Sequence, residues 1–158
     1  MPKHPETGRD ETESERVDRN LQEMLGELRV ALPGVQVLFA FLLVVPFNQR
    51  FAQVTDFQKT IYFITLMFTT ASTVCLIAPT AHHRLEFRRQ DKEQIVSTGN
   101  RIVVVGLTLL AIAMTGAVMF VTDVLYGSTT TAVAAAAVVV AFALLWYAIP
   151  LRRLTRER

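Results

Sequence analysis

Four apolar stretches, residues 30–47, 60–81, 102–122 and 131–151, contain no Lys, Arg, Asp or Glu. Nothing else in the chain restricts its fold as strongly. A bilayer's hydrocarbon core is roughly 30 Å thick and takes about 20 predominantly apolar helical residues to cross. A helix that is apolar on every side belongs in lipid or at the centre of a large core. A chain of 158 residues has no core large enough to enclose four of them. The sequence therefore specifies an all-α integral membrane protein. Its four transmembrane helices form two antiparallel hairpins, preceded by a cytoplasmic amphipathic helix.

The basic residues orient these spans. Of 16 Lys and Arg, 14 fall in the N-terminal segment, the connection between spans 2 and 3, and the C-terminal segment, which all lie on one side. Arg50 and Lys59 alone lie on the other. Because the cytoplasmic side retains the excess of basic residues, both termini are expected in the cytoplasm, with the spans in a bacterial plasma membrane. This bias argues against a chain that inserts in both directions. Phe47, Phe51, Phe57, Tyr62 and Tyr126 gather near the outer ends, while Trp146 and Tyr147 precede Arg152 and Arg153, as interfacial rings do. The first 29 residues carry eight acids and five bases, the wrong charge for a secretory signal, so no cleavage is expected. Cys75, the only cysteine, excludes an intrachain disulfide.

Residues 1–13 read as a disordered charged tail. Over residues 14–29, Val17, Leu21, Met24 and Leu28 recur at helical spacing with Leu25 beside them. This stripe is expected to pack on protein, since the segment's net negative charge suits anionic lipid poorly. Pro33 and Gly34 predict a corner where the surface helix becomes span 1. Thr55 and Gln58 have the spacing of a capping box that opens span 2. That span carries Thr65, Thr69, Thr70, Ser72 and Thr73, hydroxyls able to bond their own helix or a neighbour. Gly99 is expected to break the chain before span 3. Spans 3 and 4, joined by the short Asp123–Thr130 stretch, predict a tight hairpin. Gly106, Ala113, Gly116 and Ala117 supply small residues in the third span, as do Ala132 and Ala134 to Ala137 in the fourth. Residues 152–158 form a basic cytoplasmic tail.

Polar groups inside a membrane are where function is sought first. Gln36, about one turn beyond Pro33, either lines a polar cavity or bonds a span 2 hydroxyl. Asp123, at the outer end of span 3, either faces water or carries a proton or cation after burial raises its pKa. Glu27 and Arg29 fall in the headgroup zone. His82 and His83 follow Pro79, but adjacent histidines point to different faces of a helix and lack the spacing of a metal site. No phosphate-binding loop, nucleotide fingerprint, Ser-elbow or HExxH occurs. The expectation is a non-enzyme without cofactor or metal. Its basic residues are explained by topology rather than nucleic acid.

The run from Glu27 to Phe47, Phe51, the run "APTAHHRLEFRR" at 78–89 and the "GNR" before span 3 carry a resemblance. The chain resembles a family of small actinobacterial four-span membrane proteins of unknown function, sometimes labelled sodium/proton antiporters. The resemblance covers most of the chain after residue 14. It points to Glu27, Arg29, Pro33, Gln36, Pro46, Pro79, His82, His83, Asn100 and Arg101, and implies no established role for any of them. Two functions remain open at this level. One is a non-enzymatic module that assembles in the bilayer with itself or a membrane-protein partner. The other is an oligomeric cation, proton or small-solute transporter.

Overall fold

The computed structural model describes residues 13–85 and 92–148. Apart from Glu13, the predicted tail over 1–13 lies outside them, as do the end of the fourth predicted span and the basic tail over 152–158. Four helices account for most of the described chain: α1 (Glu13–Val44), α2 (Asp56–Leu85), α3 (Lys92–Tyr126) and α4 (Ser128–Phe142). One turn of π-helix, Ala143–Ala148, continues α4, and two short 3-10 turns, Val45–Phe47 and Gln49–Gln53, link α1 to α2. No strand occurs among the described residues. Segments Gln22–Phe47, Asp56–Ala81, Thr98–Tyr126 and Ser128–Trp146 are long and apolar enough to cross a membrane. Their outer surfaces are apolar too, with Phe41, Phe63 and Val133 among many large exposed side chains. The architecture is that of an all-α four-helix membrane protein.

Two predicted breaks are absent. α1 continues through Pro33 and Gly34, so the amphipathic segment and span 1 belong to one unbroken helix. A proline removes one backbone donor, and a long helix tolerates that loss when its neighbours hold it. Here Met24, Leu28 and Val35 lie in one buried cluster with Leu76, Val103 and Leu110. The same cluster places the predicted stripe, at Met24 and Leu28, on protein. Gly99 does not interrupt the chain either. It is buried inside α3, where an added Cβ would lie 3.2 Å from Met24 Cε and 3.9 Å from Pro79 Cβ. Its absent side chain makes room for α1 and α2.

The closest helix pair is α2 with α3, from the two different predicted hairpins. Contacts of Gln58 with Asp123, Ser72 with Gly106, and Pro79 with Gly99 run in opposite chain directions, so the two helices are antiparallel. The small residues of α3 serve this crossing. A Cβ on Gly106 would lie 2.9 Å from Leu76 Cδ2, and one on Gly116 would overlap the Thr65 hydroxyl. Ala113 has no exposed surface. Among the described residues, α4 packs on α3 and on no other helix of the bundle. Only Gly127 separates them, at φ 84 and ψ 178, a conformation essentially restricted to glycine. The predicted turn over Asp123–Thr130 thus contracts to one residue.

Candidate functional site

Polar side chains on α2 and α3 meet at two levels. In the middle of the bundle, Thr65, Thr69 and Ser72 are buried on one face of α2. Their spacing of three to four residues puts them on a single helical stripe. Thr69 donates to the Thr65 carbonyl at 2.8 Å, and Thr73 does the same to Thr69. Ser72 instead crosses the interface and donates to the Gly106 carbonyl at 2.8 Å. Gly106 makes this bond reachable, because a side chain there would hold the helices apart. No buried side-chain nitrogen or oxygen among the described residues lacks a partner. The hydroxyl stripe is a satisfied packing seam.

The second level lies toward the α1–α2 link. Thr55 and Gln58 form the predicted capping box: Gln58 N–H donates to Thr55 Oγ1 at 3.2 Å, and Thr55 N–H donates to Gln58 Oε1 at 3.0 Å. The same Gln58 has an amide nitrogen left over, and Nε2 donates to Asp123 Oδ2 at 2.9 Å. One side chain thereby starts α2 and ties it to the last turn of α3. Below it, the Tyr62 hydroxyl donates to the Leu42 carbonyl at 3.0 Å, pinning α2 to the end of α1. The Tyr62 ring meets Phe51 edge-on at 5.3 Å and Phe120 at 5.9 Å. Tyr62 and Gln58 thus organise this end. The aromatic residues and the capping box were visible in the chain, but their long-range partners were not.

The other sequence candidates do not converge. Gln36 is exposed on α1 and makes no hydrogen bond among the described residues. It neither lines an internal polar cavity nor bonds α2, where the Thr69, Thr70, Ser72 and Thr73 hydroxyls donate to backbone carbonyls. Glu27 and Arg29 are exposed on α1, and Asn100 and Arg101 on α3. His82 and His83 lie within α2, but their side chains are outside the description. Asp123 is half-buried and held by Gln58, so it is neither a free surface carboxylate nor buried in the bundle centre. No group of three or more His, Cys, Asp or Glu among the described residues could hold a metal.

Between α2 and α4, over α3, runs an open apolar groove of about 440 Å³, lined by Ile64, Phe68, Ile112, Met119, Val139 and Phe142 among others. It follows from α4 contacting α3 alone. Its chemistry is that of the surrounding membrane-facing surface.

A family described as "Family of unknown function (DUF6328)" matches residues 10–150. The chain belongs to this family. The DUF6328 match takes in all four helices and both polar levels. No curated protein and no solved structure matches the chain.

Proposed function

We propose that this chain is a non-enzymatic membrane module that works by assembling with copies of itself or with another membrane protein. One observation carries the reading: the polar side chains that are not engaged inside the bundle face outward. Glu27, Arg29, Gln36, Asn100 and Arg101 are all exposed, whereas the buried Thr65, Thr69 and Ser72 are occupied in packing. A catalyst or carrier needs groups that converge on a reacting or bound species. An assembly module needs them on its surface. The proposed setting is a bacterial plasma membrane with both termini in the cytoplasm, as the 14-to-2 division of basic residues supports. Nucleic acid has no part in this reading.

A second reading, an oligomeric transporter of cations, protons or a small solute, draws on Asp123. This half-buried carboxylate is held across two helices by Gln58, and carboxylates near membrane spans are recurrent ion carriers. Native mass measurement in mild detergent, paired with sodium- and proton-gradient flux in proteoliposomes, separates the two. Assembly predicts oligomers or a co-purifying membrane partner, with no flux. Flux that disappears in Asp123→Asn while fold and oligomer persist would overturn the assembly reading in favour of transport.

A further inference from the structure

Gln36 occupies a costly place. Eleven residues separate it from Phe47, the end of the span Gln22–Phe47, or roughly 16 Å of helix. On the other side Arg29, in the headgroup zone, is roughly 10 Å away, so the amide lies well inside a hydrocarbon core roughly 30 Å thick. Hydrocarbon offers no hydrogen-bond partner, and an amide left unpaired there is strongly disfavoured. Yet Gln36 is exposed and unpaired among the described residues of its own bundle.

The residues around it form a continuous outward stripe. Gly26, Arg29, Pro33, Gln36, Ala40 and Leu43 are all exposed and recur at alternating spacings of three and four, which places them along one helix face. The row that α1 buries, Met24, Leu28, Val35 and Leu42, is a different one. Pro33 lies on the same face. Lacking an N–H, it leaves the Arg29 carbonyl without its usual helical donor. An added Cβ at Gly26 or Gly34 meets nothing within 4 Å, so a second helix can approach here without obstruction.

We infer that the Gln36 face of α1 is the contact with a second copy of this chain, closed by a reciprocal Gln36–Gln36 amide pair. This inference rests on the assembly reading and names its partner. A primary amide carries both a donor and an acceptor, so it is complementary to itself under two-fold symmetry. Each Nε2 donates to the other chain's Oε1. A two-fold interface brings identical patches together, and Gln36 provides the polar match while Ala40 permits close approach. Interhelical amide bonds of this kind contribute modestly but measurably in lipid.

The test uses the full chain, labelled separately with donor and acceptor dyes and reconstituted in phosphatidylcholine vesicles at increasing lipid dilution. Gln36→Leu should weaken dimerisation roughly fivefold to tenfold, and Gln36→Asn should recover part of it. Thermal unfolding of the detergent-solubilised monomer should not change, because Gln36 supports nothing inside its own bundle. In a Cys75→Ala background, Ala40→Cys, which keeps the amide, should oxidise to a covalent dimer. An oligomer that persists undiminished in Gln36→Leu, with no Ala40→Cys dimer, would overturn this interface and leave the assembly reading standing. Wild-type chains that never approach one another in lipid, and recover no partner, would overturn both.

Discussion

Replacing Gly106 with Ala tests how closely α2 and α3 are held. The added methyl would lie 2.9 Å from Leu76 Cδ2, 3.0 Å from Leu76 Cγ and 3.0 Å from Cys75 Cβ. Carbon atoms rest about 3.5–4.0 Å apart, so the neighbours must retreat by up to about 1 Å. Leu76 has no exposed surface, so it yields only if α2 moves. That movement stretches the 2.8 Å bond from Ser72 to the Gly106 carbonyl. Overpacking of this kind costs about 1–3 kcal/mol. Against it stands about 0.5–1 kcal/mol gained by removing a glycine from a helix interior. Gly26→Ala isolates that gain in the detergent-dispersed monomer, because nothing in its own bundle lies within 4 Å of its added Cβ. Gly106→Ala should therefore be less stable than Gly26→Ala by about 1–3 kcal/mol, and less stable than wild type by about 1 kcal/mol. Reversible unfolding in mixed micelles measures both. Leu76→Ala removes two of the three crowded atoms, so combining it with Gly106→Ala should couple by more than the about 0.5 kcal/mol scatter of independent sites. If Gly106→Ala behaves like Gly26→Ala, or the double variant is additive, the crossing is looser than its geometry implies and the reasoning fails.

Tyr62→Phe keeps the rings at Phe51 and Phe120 but removes the bond to the Leu42 carbonyl. It should cost about 1 kcal/mol in the same unfolding assay, and an unchanged midpoint would contradict the pinning role. Gly127→Ala forces an L-residue into φ 84, ψ 178 and should cost about 1–3 kcal/mol, read as easier proteolysis near the α3–α4 turn; equal resistance would count against that turn. A tag at Gln53 should be reached only from the side opposite both termini, and labelling from the same side would refute the up-and-down arrangement.

The spans were legible because transfer into lipid depends on local composition, which a linear chain displays directly. The Thr55–Gln58 capping box was legible for a similar reason, since its partners lie three residues apart. Pro33 and Gly99 misled because local propensity treats proline and glycine as breaks. At Gly99 the governing fact is instead the arrival of Met24 from another helix. Gln36 was misplaced because a helix that is apolar all round carries little information about which face meets lipid. The Gln58–Asp123 bond joins residues 65 apart in the chain, and no pattern around either one announces the other. The small residues of α3 were recognised as an interface, but they serve α2 rather than α4, a choice made by shape across the bundle.

The isolation of α4 bears on how the protein is made. All packing among α1, α2 and α3 involves residues before Gly127, and among the described residues α4 adds helix contacts to α3 only. Chains are synthesised from the N-terminus, and early segments can organise before later ones emerge. The first three helices therefore have one another to pack on while the fourth is still being translated. α4 then adds its single seam, along α3, to helices that already have neighbours.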